Sequence, residues 1–494
     1  MISLNVPLLM VVAFLLLTLA VGLYYSRKTT TLREYAVGNK QFATATLVAT
    51  TLATCWGGGG LVRTVEQVHH LGLFYIIFCL VSQDLWIISI LAVRMGPFMQ
   101  HLSMPETIGS VYGKYPRLIT ALACIAAYIA GLAVQITVIS KAISFCLGSV
   151  DAELEYYTTI LATLILIFYS TFGGIRAVTF TDVLQFITFS IIIPLLAVWM
   201  FHKISNSVAE SISFLQTQEK FQFSSVCHSH IKLTGIVLLI LTNLVSGIEP
   251  TRIQRVYMSS GIIQAKKVFL YAGLFSLLIM ILILLIGLFV FVGAPELSVK
   301  EIWPYIMKNI SPFAQGLISI SLLAMTMSTA DSKLNACAVM VSHDILESIR
   351  GIRIISKAYQ FMLARLTSLV IGLCAMVLAF YRNDLLDLLK LTFAFTVPII
   401  TAPFVLAIFG FRGSGRTALI GMATGIVTII AWDQWIEPKT GIDGSFVCML
   451  ANGLAMLAAH YVLPQPPGTG WVEPDDELKQ IRQANIRKKE CLAG

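Results

Sequence analysis

The feature that most restricts this chain is a repeated apolar run of about 20 residues, long enough to cross a bilayer as a helix. Such runs fall near 6–24, 43–62, 71–94, 117–146, 157–173, 178–201, 233–256, 266–292, 312–343, 360–380, 385–410, 417–433 and 446–464. Of the 494 residues, 57% are hydrophobic and 12% charged, roughly half the charge of a soluble domain. A soluble fold would have to bury all of these helices in one core. The chain therefore reads as an all-α polytopic membrane protein with about 13 transmembrane helices. The opening run, "MISLNVPLLMVVAFLLLTLAVGLYYSRK", has no basic start and no small-residue cleavage site, so it reads as a retained helix.

An odd number of spans puts the termini on opposite sides. One set of connections holds about 23 basic residues, including "RKTTTLREY", "RIQR", "AKK" and "RGIRIISK", against about 7 on the other. That bias makes the richer side cytoplasmic, with the N-terminus outside and the C-terminus inside. The net charge of +8 is spread over these loops and does not form a nucleic-acid patch. The nine cysteines lie mostly in apolar runs without a CxxC pair, as small packing residues do. "CHSH", Cys227 to His230, lacks a second ligand group. No GxSxG, HExxH or P-loop occurs and no polar stretch is long enough for a catalytic domain, which points to a non-enzyme.

Three stretches break the apolar pattern. "ATCWGGGG", from Ala53, sets four glycines at membrane depth. Irregular backbone survives there only where protein or a wet cavity satisfies the freed groups, and freed carbonyls suit sodium. A glycine seam for close helix packing is the other reading. "LLAMTMSTADSKLNACAVMVSHD" carries Ser328, Thr329, Asp331, Ser332, Lys333 and Asn335. Oxygens within one helical turn suit a cation, although Ser and Thr also bond back to their own helix. "LTNLVSGIEPTRIQRV" brings glycine, Glu249 and proline together inside an apolar run, as a helix break or an end kink.

These stretches, together with "YSTFGGIRAVTFTDVLQF", resemble the sodium/solute symporter family, whose members include sugar, proline, pantothenate, iodide and choline cotransporters. The resemblance covers about residues 6–465. "MSTADS" lies nearest the choline-type branch, and "EP" before an arginine nearer the proline-type branch. It implies a leucine-transporter-type core of two inverted five-helix repeats with discontinuous helices. The repeats would span 43–201 and 233–411. A first helix and cytoplasmic loop (1–42) would precede them, an extracellular loop (202–232) would join them, and two helices (412–464) and a tail (465–494) would follow.

Carried over by position, a sodium site would use the carbonyls of Ala53, Trp56 and Met325 and the hydroxyls of Ser328 and Thr329. A second sodium or proton site would use Asp182, Asp331 and Ser332, unless Asp182 instead pairs near Arg176. Substrate positions would be Cys55, Gly58, Arg63, Glu66, Asp84, Leu132 and Glu249. Cys55, Leu132 and Glu249 replace the aromatic cage that choline members use, which argues against choline. Arg63 suits either a substrate carboxylate or an internal pair with Glu66, Asp84 or Glu249. Both charge signs favour an amino acid or zwitterion such as proline. The expected function is sodium-coupled symport across the plasma membrane by alternating access, with Na+ as coupling ion. The expected partners are a small solute and the lipid bilayer, without an obligatory protein partner. Proton coupling and a non-transporting sensor are the alternatives.

Overall fold

A computed structural model describes residues 5–26, 31–147, 152–203, 207–223, 230–350, 357–381, 388, 392 and 395–472. Cys227 to Ser229 and the tail from 473 lie outside these residues, as does part of the run at 385–410, within 385–394. The main helices are α1 (Val6–Ser26), α2 (Thr44–Cys55), α3 (Gly58–Leu71), α4 (Leu73–Val81), α5 (Leu85–Ala92), α6 (Met104–Tyr112), α7 (Lys114–Leu147), α8 (Ala152–Lys203) and α9 (Val208–Thr217). They continue with α10 (His230–Ser246), α11 (Pro250–Met258), α12 (Ile262–Gly293), α13 (Pro312–Val339), α14 (Lys357–Tyr381), α15 (Ala402–Ile408), α16 (Gly415–Trp435) and α17 (Ser445–Val462). A two-residue antiparallel ladder joins β1 (Phe411–Arg412) to β2 (Gly470–Trp471).

Among the described residues, nine helices are long and apolar enough to cross a membrane, or up to eleven if each bent pair is one span. Two expected spans, 157–173 and 178–201, run together in α8. A 52-residue helix would extend about 78 Å, far beyond one bilayer. It turns at Gly174, where φ is +59° and an added Cβ would come 2.7 Å from the Tyr35 ring. Only glycine takes that backbone in that space at little cost.

Burial shows which helix is central. Of the apolar window in the span containing α13, 78% is buried, against 33% for α1. α13 packs against α7 and α8, and α1 lies over α8 and α13. The stretch 202–232, expected as an extracellular loop, contains α9, which a Ser207/Glu210 capping box starts.

α16 and α17 pack on each other and on a π-helical turn at Val397–Thr401. Asn452 on α17 donates to the carbonyls of Pro398 (2.8 Å) and Ile399 (3.0 Å). The "GMATG" glycines serve this internal packing: a Cβ at Gly421 would strike Met456, and one at Gly425 the Pro398 carbonyl.

Candidate functional site

The first break separates α2 from α3 by a 59° bend. Trp56 (φ −95°, ψ 85°) and Gly57 (φ −80°, ψ 150°) leave the helical region. The glycines that follow also pack closely. A Cβ at Gly58 would lie 2.6 Å from Thr326 Cγ2 and 3.1 Å from the Leu322 carbonyl. Both readings of the run therefore hold, the interruption at 56–57 and the seam just after it.

The interruption turns carbonyls toward α13. The Ser328 hydroxyl lies 2.7 Å from the Ala53 carbonyl and 3.0 Å from that of Met325. The Thr329 hydroxyl lies 3.2 Å from the Thr54 carbonyl and 3.1 Å from that of Met325. Ala53, Met325, Ser328 and Thr329 thus meet at one point, in a buried setting. Trp56 stands beside them in the break, its indole donating to Ser276 Oγ at 3.2 Å.

The second break separates α10 from α11 by 42° at Gly247–Glu249. A third interruption, at Ser82–Asp84 between α4 and α5, faces it, and Asn243 donates to the Ser82 carbonyl at 3.0 Å. Arg252 joins the two: it pairs with Asp84 and lies 3.3 Å from Glu249. Cys55 is within electrostatic range of all three charges.

One face of α7 meets both main breaks. Tyr128 accepts from the Thr251 N–H at 2.9 Å, and Thr251 Oγ1 lies 3.1 Å from Glu249. Leu132 is buried one turn on. A Cβ at Gly57 would meet the Gln135 amide at 3.1 Å, and among the described residues the buried Gln135 Oε1 has no hydrogen-bond partner.

The positions expected for a second cation lie around an arginine. Arg255 Nη2 donates to Ser332 Oγ (2.6 Å), Thr54 Oγ1 (2.8 Å) and Asp182 Oδ2 (3.3 Å), and Thr50 donates to the same carboxylate. Asp331 accepts from the Tyr169 hydroxyl at 3.0 Å. Asp182, Asp331 and Arg255 are wholly buried, and among the described residues one oxygen of each carboxylate has no hydrogen-bond partner. Asp182 pairs with Arg255, not Arg176.

Residues 35–425 match the profile of the sodium:solute symporter family. That is most of the chain. This protein belongs to the sodium:solute symporter family. Its relatives include sodium/proline symporter 2 of Staphylococcus saprophyticus, 27% identical over 66% of this chain and 66% of that protein. The sodium/sialic acid symporter NanT of Aliivibrio fischeri is 22% identical over 64% and 65%. The aligned part thus spans just under two thirds of each relative's length. Among solved structures, a sodium-coupled sialic acid symporter in a substrate-bound outward-open state has a TM-score of 0.81 at 20% identity, covering 93% of this chain and 98% of that one. MhsT in complex with L-phenylalanine has a TM-score of 0.54 at 14% identity, covering 84% and 98%. These place the chain in the leucine-transporter-type fold, and as a family member it is an integral membrane protein.

Within this symporter fold, the structure separates the seven substrate positions. Asp84 and Glu249 share Arg252, and Cys55, Gly58 and Leu132 line or flank the breaks. Arg63 and Glu66 sit on half-helix α3 in electrostatic range of each other, and Arg63 also of Tyr75 and Cys79 on α4. Among the described residues Arg63 forms no ion pair with Glu66, Asp84 or Glu249. Arg252 and Arg255 need correction: "RIQR" was counted with the cytoplasmic loops, yet the acids Asp84, Glu249 and Asp182 draw both guanidinium groups inward. Tyr128 and Gln135 were missed as well. Their one signal was that polar residues seven apart fall on the same helix face as Leu132.

Proposed function

We propose that this protein performs sodium-coupled symport of a small polar organic solute by alternating access. The carrying observation is the Ser328 hydroxyl at 2.7 Å from the Ala53 carbonyl, two groups 275 residues apart in sequence. Unwound carbonyls facing hydroxyls from another helix form a hard-cation site. In this reading Ala53, Trp56, Met325, Ser328 and Thr329 hold Na+ between the repeats 43–201 and 233–411. Sodium there draws α2 and α13 together, which orders the neighbouring solute site. By linkage the solute raises sodium affinity by the same factor.

Asp182, Asp331 and Ser332 form a second cation site in this reading. Two buried carboxylates face one guanidinium there, and a sodium ion or proton at Asp331 would balance the excess. The solute site comprises Cys55, Gly58, Asp84, Leu132 and Glu249, with Arg252, Tyr128 and Gln135 added. Arg63 and Glu66 belong to its outer approach. Its mixed charge supports an amino acid or other zwitterion such as proline. The basic-loop bias supports a plasma-membrane orientation with the N-terminus outside.

Uptake into proteoliposomes of labelled L-proline, sialic acid and glucose, under imposed sodium or proton gradients, tests this reading. Sodium-driven accumulation is expected, with the sodium half-saturation raised about 10-fold or more in Ser328→Ala, the scale of one lost hydrogen bond to a charged group. Accumulation indifferent to sodium would overturn it.

A further inference from the structure

The sodium and solute sites leave one buried charge unexplained. Lys333 sits on α13, one turn from Thr329, and is 7% exposed. Among the described residues its ammonium makes no hydrogen bond and no ion pair. Nζ instead sits over the Tyr128 ring, 5.2 Å from its centroid. A Cβ added at Gly131 would lie 2.5 Å from Nζ, so the glycine on α7 makes the space the ammonium occupies. Tyr128, Gly131, Leu132 and Gln135 share the face of α7 that meets both breaks. Lys333 therefore points into the solute site, not toward lipid or the cytoplasm.

A cation at this depth needs an anion, because an isolated buried ammonium is strongly disfavoured. Cation–π attraction to Tyr128 offsets part of that cost and supplies no hydrogen-bond acceptor. Glu249, the acid in electrostatic range of Lys333, already pairs with Arg252 and accepts from Thr251, and Asp84 pairs with Arg252. Asp84, Glu249 and Arg252 sum to −1 at the break, and Lys333, in electrostatic range of Glu249 and Arg252, adds +1 beside the Tyr128 ring. We infer that Lys333 is the anchor for a carboxylate on the transported solute, with the solute's cationic end facing the Asp84–Arg252–Glu249 cluster. This rests on the symport reading and narrows it: the solute is a carboxylate-bearing zwitterion, and Lys333, not Arg63, receives the carboxylate.

The test compares wild type, Lys333→Gln, Lys333→Arg and Gly131→Ala in two assays. One is sodium-driven uptake of labelled L-proline into proteoliposomes. The other is stabilisation of the purified full-length protein against heat by L-proline and by L-prolinamide, its carboxylate-free counterpart. The expected result is stabilisation of wild type by proline and not by the amide. Lys333→Gln should raise the proline KM about 30-fold, the size of one charge-assisted contact, with the sodium half-saturation unchanged. Lys333→Arg should recover part of that loss. Gly131→Ala, which keeps the charge and displaces it, should weaken proline in the same direction. Equal response to acid and amide, or a KM within about 3-fold of wild type in Lys333→Gln, overturns the inference. Proline stabilisation lost in Lys333→Gln but without sodium-driven uptake in wild type would refute symport and leave the anchor standing. Sodium-driven uptake unaffected by Lys333→Gln would do the reverse. A protein that neither binds nor carries proline contradicts the zwitterion assignment.

Discussion

Arg255 holds Asp182 at 3.3 Å, with both side chains completely buried. The same guanidinium reaches Thr54 on α2 and Ser332 on α13. One residue of α11 thus ties α2, α8 and α13 together. Removing it strands the Asp182 carboxylate beside Asp331. Arg255→Gln should cost about 3–5 kcal/mol, the scale for breaking a buried pair, seen as a clear fall in thermal stability in detergent. Adding Asp182→Asn should recover more than half of that loss. An unchanged melting temperature in the single variant would contradict the tie.

The glycine run gives an internal contrast. Gly58→Ala places a Cβ 2.6 Å from Thr326 Cγ2 and 3.1 Å from the Leu322 carbonyl, whereas no atom lies within 4 Å of a Cβ at Gly60. Gly58→Ala should destabilise by about 1–3 kcal/mol through overpacking. Gly60→Ala should be neutral or stabilising by up to about 1 kcal/mol, because alanine is the better helix former. Parallel melting curves decide, and equal effects at both positions would argue against the close approach of α3 to α13.

Asp84 and Arg63 should separate in transport. Asp84→Asn frees Arg252 from its ion pair beside Glu249, and kcat/KM should fall about 10–100-fold, as when a buried charged partner is lost. Arg63→Ala should stay within about 3-fold, since Arg63 forms no ion pair to this cluster. A larger loss in Arg63→Ala than in Asp84→Asn would reverse the assignment of the charged pocket.

Glu106, on α6 outside the membrane spans, carries a pH signature. Burial pushes its carboxyl up, but bonding to His343 at 3.1 Å, the nearby His101 and the Leu102 N–H bring it down to about 2. A depressed carboxyl stabilises the fold above its ordinary value of 4.5 and loses that contribution as pH falls through about 2. Glu106→Gln should therefore lower the melting temperature by a constant amount between about pH 5 and 7, with the gap closing below about pH 4.5. A gap that widened on acidification would have the wrong sign.

The apolar runs made the helical class and most spans legible, because membrane helices must satisfy their backbone internally and show it in their length. The breaks at Cys55–Gly58 and Gly247–Pro250 were legible from glycine and proline chemistry. The partner of each buried acid was not. Arg252 and Arg255 follow a proline near an expected helix end, and in one dimension they look like a basic loop. Only the convergence of α4, α8 and α11 shows that both face inward. Gln135 and Lys333 were hidden differently, since a single polar residue in a helix has no period of its own. The Ser82–Asp84 interruption went unread because Ser, Gln and Asp break a helix less plainly than glycine does.

The contact between Asn452 and the π-helical turn has a consequence for chain length. In α17 this amide takes up the carbonyls of Pro398 and Ile399, which an ordinary helical ladder would have filled. α16 and α17 thus act as an outrigger, braced against the turn at Val397–Thr401 by packing and by this amide. A chain stopped just after residue 411 would leave both carbonyls without the Asn452 amide.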